Sequence, residues 1–173
     1  PKIGHHFIQV VSIEGFPLAS SPGLINSLAD LPCLYRWSTR FIFMDTHEAV
    51  GHLEKFSKKW KQKIRSFFDQ VFNSHSSHVD QNAMNMVSDA QAAIAETNSG
   101  EVAQGYYTSV VVLMSENRGD LEAAARQVAK AVNHMGFTAR IETINTIDAY
   151  LGSLPGHGVE NVRRPLLNTL NLA

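Results

Sequence analysis

The chain has 173 residues, of which 44% are hydrophobic and 18% charged, and its formal net charge is −1. Such a chain can bury one core and carry an appendage, while the near-neutral balance argues against a dedicated nucleic-acid or membrane-surface protein. Its purely apolar runs are too short to span a bilayer. The single cysteine, Cys33, excludes an internal disulfide framework, and we interpret it as a small buried or turn residue.

The first quarter of the chain predicts two strands separated by a short helix. The β-branched stretch Gly4–Ile13 indicates the first strand. Ser21 followed by Pro22 is typical of a helix start, and Pro32 would end that helix. Apolar and polar residues then alternate over Tyr35–Met44, which predicts a second strand with one buried face.

Two apolar stripes in the middle of the chain predict a helical hairpin over about 46–98. The first stripe recurs at steps of three and four residues and consists of Leu53, Phe56, Trp60, Ile64, Phe67 and Val71. The second stripe consists of Val79, Ala83, Met86, Ala90 and Ile94. We interpret Asp45 as the cap of the first helix and Glu48 as an acid in its first turn, where the helix dipole favours negative charge.

A strand, a helix, a strand and a short helix follow in the last part of the chain. Residues 106–114 (YYTSVVVLM) predict the third strand, and Asn117 or Asp120 can cap the next helix. The core face of that helix would consist of Leu121, Ala125, Val128, Val132 and Met135. Gly136 suits its end, residues 137–142 predict the fourth strand, and Thr146 would cap a last helix ending at Gly152.

This order predicts an α+β fold of the split βαβ, ferredoxin-like kind. Two βαβ halves would form a four-stranded antiparallel sheet with helices on one face, and the hairpin would be an insertion between the second and third strands. We expect residues 1–151 to form one domain. Residues 152–173, which include Leu154-Pro155-Gly156, would form a structured linker toward an ATPase motor domain outside this sequence.

Tests for catalytic and ligand motifs in the sequence are negative. The glycines 152, 156 and 158 are followed by Val-Glu-Asn, whereas a phosphate loop needs lysine and serine or threonine at the start of a helix. The eight histidines lack partners at metal-ligand spacing, so we predict no metal site. Ser153, His157 and Asp148 are residue types used in acyl transfer, but without a nucleophile elbow a hydrolase is only a minor hypothesis.

Basic residues concentrate on the first helix of the predicted hairpin. They are Lys55, Lys58, Lys59, Lys61, Lys63 and Arg65. They form either a solvated face or a docking face for anionic lipid headgroups, nucleic acid or an acidic partner. The adjacent Arg163 and Arg164 form either an interface contact or an anchor for the linker. We therefore predict a candidate interaction face from these eight residues and no catalytic, cofactor or metal residue.

Three segments of the chain resemble one family. The segments are YRWSTRFIFMD (35–45), GYYTSVVVL (105–113) and the whole of 136–173, in which Leu-Pro-Gly is followed by Asn-x-Arg-Arg. They are similar to the region before the motor domain of TrbE-type conjugal-transfer ATPases, which belong to the CagE/TrbE/VirB family of type IV secretion. The similarity extends over nearly the whole chain.

The resemblance implies a parent protein that hydrolyses ATP with Mg²⁺ at the cytoplasmic face of the bacterial inner membrane. It would act peripherally and as an oligomer, energising pilus assembly and DNA transfer, with its own motor domain and other inner-membrane secretion components as partners and a DNA contact as a further expectation. Residues 1–173 contain neither a Walker A nor a Walker B motif. We therefore interpret the chain as a non-catalytic interaction and regulatory domain that belongs to a longer protein.

A nucleic-acid-binding module is the alternative interpretation. The predicted sheet and the basic helix motivate it, because RNA-recognition sheets carry exposed aromatic residues within a basic-Gly-aromatic motif. Gly105-Tyr106-Tyr107 matches only the middle of that motif, and Gln104 precedes it where a basic residue would stand.

Overall fold

The computed structural model of the chain describes residues 1–17, 23–30, 33–71 and 81–172. These residues form two compact units. Unit 1 comprises residues 1–42 and 106–166, and unit 2 comprises residues 43–105 and 167–172. The domain boundaries expected from the sequence stay a prediction.

Strands and helices alternate along the described residues of the chain. The strands are β1 (Lys2–Ile3), β2 (His6–Gly15), β3 (Tyr35–Phe43), β4 (Gln104–Ser115), β5 (Thr138–Ile141) and β6 (Leu166–Asn168). The α-helices are α1 (Thr46–Val71), α2 (Gln81–Ser99), α3 (Arg118–His134) and α4 (Thr146–Gly152). Two 3₁₀ helices cover Leu24–Asp30 and Thr169–Leu172. The α+β class and the four longer strands are confirmed. The short helix after β2 is 3₁₀ rather than α, and Ser21, Pro22 and Pro32 lie outside the described residues.

The strands form a six-stranded sheet in the order β1-β2-β4-β3, in which β5 also pairs with β2 and β6 also pairs with β4. β2 runs antiparallel to β1, β4 and β5, with Val10 opposite Val112 and Val11 opposite Ile141. The four-stranded prediction missed β1 and β6, because strands of two or three residues are too short to show a periodicity.

The alternation of side chains along β2 builds two apolar cores on the two faces of the sheet. Val11 and Ile13 pack with Val111 and Leu113 of β4 against one face of α3. That face contains Leu121, Ala125, Val128 and Val132, with Met135 partly buried, as the sequence predicts. Asn117 is the N-cap of α3, and Gly136, with φ of 89°, follows its end.

The opposite face of the sheet packs against α4. Ile8 and Val10 of β2 form a second core with Ala149 of α4, and Tyr150 lies against this core. Helices on one face only is therefore a wrong expectation, since α3 and α4 pack on opposite faces. The predicted cap of α4 is also wrong: the hydroxyl of Thr146 donates to the backbone oxygens of Glu142 and Thr143 instead of accepting from the helix amides.

Unit 2 contains the two helices of the predicted hairpin. α1 and α2 pack along each other and bury Ala49 and Ser57 from α1 and Ala90 and Thr97 from α2. The carboxylate of Asp45 accepts from the His47 amide at 2.8 Å, and Glu48 lies in the first turn, as predicted.

The apolar stripes of unit 2 are only partly buried. Phe56 of α1 is 45% exposed and stacks edge-on against Trp60, and Met86 of α2 is 41% exposed. The predicted stripe residues Ile64, Phe67, Val71, Val79 and Ala83 have side chains outside the described residues.

Candidate interaction site: an anchored C-terminal strap

Residues 153–165, here called the C-terminal strap, leave α4 at Gly152 and run back across unit 1. Gly152 makes this return possible, because a Cβ built on it would lie 2.7 Å from the backbone oxygen of Glu160. The turn continues with Ser153, whose hydroxyl donates to the Tyr150 oxygen at 2.6 Å, and with Gly156 at φ of 80°. The glycines of this stretch therefore serve a close backbone approach and a tight turn rather than a phosphate.

Strand β3 holds the first half of the strap through polar side chains spaced two residues apart. Arg36 Nη2 donates to Ser153 Oγ at 2.5 Å, and Ser38 Oγ donates to the Ser153 backbone oxygen at 3.2 Å. Arg40 donates to the backbone oxygens of His157, at 2.6 Å, and Glu160. Alternate residues of a strand point to the same face, so these three side chains reach one stretch of backbone.

Arg163 anchors the second half of the strap to a buried carboxylate. Its Nε and Nη2 donate to the two carboxylate oxygens of Glu142 at 2.9 and 3.2 Å, and Glu142 is only 2% exposed. Glu14 lies 3.6 Å from Arg163 and is also paired with Arg140. These contacts, with the hydrogen bonds to Glu142 first among them, raise the pKa of Arg163 above its ordinary value. The pair is bidentate, which fixes both the position and the orientation of the guanidinium.

The backbone of Arg163 adopts a left-handed conformation with φ of 52°. It is the one residue other than glycine with positive φ among those the structure describes. A non-glycine residue keeps this conformation only when the surrounding contacts compensate its cost, and the bond to Glu142 does so here.

The last residues of the strap lie along β4. Asn161 bonds to the hydroxyl of Thr108, and the Tyr107 amide donates to the Pro165 oxygen at 2.9 Å. The guanidinium of Arg164 lies 5.2 Å from the centre of the Tyr106 ring, at cation–π distance. The contacts of both arginines are those of the linker-anchoring alternative, and their role in an interaction face stays a prediction.

His157 and Glu160 form an ion pair within the strap. The hydrogen bond from His157 holds the pKa of Glu160 below its ordinary value, with smaller contributions from a backbone hydrogen bond and from the charge of His157. The pair braces the turn between the two backbone oxygens that Arg40 binds.

The hydrolase hypothesis is not supported by this geometry. The hydroxyl of Ser153 is engaged by Tyr150 and Arg36, while the ring of His157 faces Glu160. A Ser–His pair requires the imidazole within hydrogen-bond reach of the hydroxyl. Asp148 lies exposed in the first turn of α4.

Cys33 is half-buried against the core under α3, as predicted for a small buried or turn residue. Burial raises the pKa of its thiol, so the reactive thiolate is disfavoured. Within the ranges that the structure covers, no cluster of three His, Cys, Asp or Glu side chains is arranged to hold a metal ion. Over the same ranges, no helix has the length and apolar character of a membrane span.

The basic residues of α1 lie in unit 2. Lys55, Lys58, Lys59 and Lys61 are exposed, and Lys58 is 3.9 Å from Glu54 one turn earlier. The side chains of Lys63 and Arg65 lie outside the described residues. The four exposed lysines stand on the polar side of α1, away from the stripe of Leu53 and Trp60.

Sequence reasoning missed Arg36, Ser38 and Arg40 as partners of the strap. Their alternation with apolar residues indicated the solvent-facing side of a strand with one buried face. Two arginines and a serine on one face of a strand are a signal for an anchored backbone segment, because arginine donates to carbonyl oxygens from a fixed fork.

An α+β unit whose most specific sequence motif serves as an internal anchor belongs to a known class of protein. The chain is a member of the CagE, TrbE, VirB family, a component of the type IV transporter system, whose family model matches residues 2–163. Over its full length it is 50% identical to a probable conjugal transfer protein TrbE of Sinorhizobium fredii (strain NBRC 101917 / NGR234) and 49% identical to the conjugal transfer protein TrbE of Rhizobium radiobacter. It spans 26% and 21% of the length of these relatives. The resemblance stated from the sequence is confirmed.

Proposed function

We propose that the chain is the non-catalytic interaction and regulatory region of a conjugal-transfer ATPase of type IV secretion. Family membership and the names of the two relatives support the transfer role. The small share of those relatives that the chain spans supports a motor domain elsewhere in the parent protein. That parent would energise pilus assembly and DNA transfer, as an oligomer at the cytoplasmic face of the inner membrane, in contact with other inner-membrane secretion components.

The single observation that carries this proposal is the anchored strap. Its Leu-Pro-Gly and Asn-x-Arg-Arg residues are the most specific feature of the family resemblance, and they bind the sheet of unit 1 instead of forming a catalytic centre. An anchor of this kind fixes the direction in which the chain leaves unit 1. We infer that it sets the position of the motor domain relative to the partners that unit 1 binds.

ATP and Mg²⁺ do not fit the residues of this chain. A Walker A loop needs glycines followed by lysine and serine or threonine, and residues 1–173 contain no such sequence. Nucleotide chemistry therefore belongs to the parent's motor domain in this proposal, and no residue here is assigned to it.

The finer fold proposed for unit 1 is the ferredoxin-like split βαβ arrangement. The four longer strands lie in the order β5-β2-β4-β3, and the pairings of β2 with both of its neighbours are antiparallel. This order supports two interleaved βαβ halves, with β1, β6 and α4 as additions.

The purified chain is expected to show neither ATP turnover nor a nucleotide-induced shift in melting temperature, because it has no phosphate-binding loop. Expressed in a conjugating donor strain, it should lower transfer frequency by competing with the intact protein for partners. The measurements are phosphate release, thermal melting with ATP and Mg²⁺, and mating frequency. Clear hydrolysis by the chain would refute the proposal, and unchanged mating at high expression would contradict the interaction role.

The alternative function, nucleic-acid binding, is favoured by the exposed lysines of α1. If it is correct, single-stranded DNA should bind with an affinity that falls steeply as salt rises. Lys55→Glu/Lys59→Glu should then abolish binding, whereas Arg126→Glu/Lys130→Glu, an equal charge change on α3, should leave it within about twofold. Fluorescence anisotropy at several salt concentrations measures both, and absence of binding at low salt would end this alternative.

A further inference from the structure

A basic groove lies between α3 and β5, away from the strap. It has a volume of about 430 Å³ and is lined by Arg126, Ala129, Lys130, Asn133, His134 and Ile141. Arg126, Lys130 and His134 are spaced four residues apart, so they form one stripe along the helix. No carboxylate is among the lining residues, and within the described residues these three cations have no acidic partner.

The groove opens onto an unpaired edge of the sheet. The Glu142 amide donates to the Val10 oxygen at 2.8 Å, which sets the alternation of hydrogen bonds between the ends of β5 and β2. The neighbouring Ile141 amide therefore points away from β2. The Ala139 amide points the same way and is bound by the Asn133 side chain at 2.9 Å. Among the described strands, β2 is the one partner of β5, so the outer edge at Ile141 can receive a further strand.

We infer that this groove binds an extended, acidic polypeptide segment, which adds to the outer edge of β5. Successive cations on α3 are separated by about 6 Å along the helix axis. Alternate residues of a strand are about 6.6–6.8 Å apart, so acidic residues at every second position would each meet one of the three cations. The small side chain of Ala129 and the edge of Ile141 leave room for a small apolar residue between them.

Nucleic acid is the less suitable occupant of this groove. Single-stranded nucleic acid is bound by basic grooves that also offer aromatic side chains for base stacking, and the six lining residues include no Phe, Tyr or Trp. The free amide of Ile141 also matches a peptide carbonyl, because β-augmentation uses main-chain hydrogen bonds for affinity. This inference does not depend on the transfer role of the parent protein.

The test uses the full chain and a fluorescein-labelled peptide of about eight residues that alternates Glu with Val. We expect saturable binding at moderate salt, slower hydrogen exchange of the Ile141 amide in the complex, and at least about a tenfold weaker Kd for Arg126→Glu/Lys130→Glu. Lys55→Glu/Lys59→Glu changes the net charge by the same amount on α1 and should leave the Kd within about twofold. All four residues lie on helix surfaces rather than in the cores, so both variants should fold, and circular dichroism checks this.

Three further measurements keep the inference open to refutation. A peptide with Gln in place of Glu should bind at least about tenfold more weakly, and one with central prolines should lose protection of Ile141, because proline has no amide to donate. No binding of the acidic peptide, or equal losses in the α1 and α3 variants, would overturn the assignment. It would equally be overturned if single-stranded DNA bound with the same affinity and the same dependence on Arg126 and Lys130.

Discussion

Replacement of Arg163 by alanine is expected to destabilise the chain by about 3 kcal/mol, because it leaves the buried carboxylate of Glu142 without its bidentate partner. Breaking a fully buried pair costs about 3–5 kcal/mol, and the partial exposure of Arg163 places this case at the lower end. A loss of this size corresponds to a fall in melting temperature of about 6–12 °C for a chain of this length. Thermal and urea unfolding measure it.

Two companion variants separate the ion pair from other effects of the substitution. Adding Glu142→Gln to Arg163→Ala should restore some of the lost stability, because the buried group is then neutral. Arg164→Ala removes the neighbouring arginine, whose cation–π contact with Tyr106 is worth about 0.5–1 kcal/mol at an exposed site. Equal losses for Arg163→Ala and Arg164→Ala would show that the bond to Glu142 is not the anchor.

Local periodicity predicted the elements of this fold that depend on neighbours in the sequence. The stripe from Leu121 to Val132 predicted the buried face of α3, and the alternation over Tyr35–Met44 predicted β3. Asn117 and Gly136 predicted the two ends of α3, since capping depends on residues within one turn. The α+β class follows from the order of these elements.

Periodicity could not predict which face of the sheet α4 would cover. The contact depends on Ile8 and Val10 meeting Ala149, which is more than a hundred residues away in the chain. β2 is buried on both faces, and the central VVSI of this strand is a continuous apolar-rich run that gives no face preference. A sheet covered on both sides was therefore compatible with the sequence but not specified by it.

The strap was beyond local patterns for the same reason. Arg40 meets His157 and Glu160 across more than a hundred residues, and it binds their backbone oxygens, which carry no side-chain signature. The family resemblance pointed to this segment as the most specific stretch of the chain. Its structural role follows from the contacts of Arg40 and Arg163, which convert a motif at the end of unit 1 into an anchor.

Gly152→Ala is expected to detach the start of the strap and to cost about 2–3 kcal/mol, near the upper end for overpacking. The added Cβ would lie 2.7 Å from the Glu160 backbone oxygen and 3.4 Å from Arg40 Nη2. The oxygen belongs to the backbone and is held by Arg40, so it cannot move aside without loss of that hydrogen bond. Thermal unfolding measures the loss, and hydrogen exchange should show faster exchange at the His157 amide, which donates to Leu154.

Gly158→Ala is the matched control for this prediction, since it adds the same methyl group to the same strap. A Cβ at Gly158 meets no atom within 4 Å, and this glycine has no positive φ. Its replacement should change stability by less than about 1 kcal/mol, with slight stabilisation from the reduced entropy of the unfolded chain. If Gly152→Ala were as mild as Gly158→Ala, the close approach of α4 to Glu160 would not hold the strap in place. The anchor would then rest on the arginines alone, and Arg163→Ala should by itself release the whole strap.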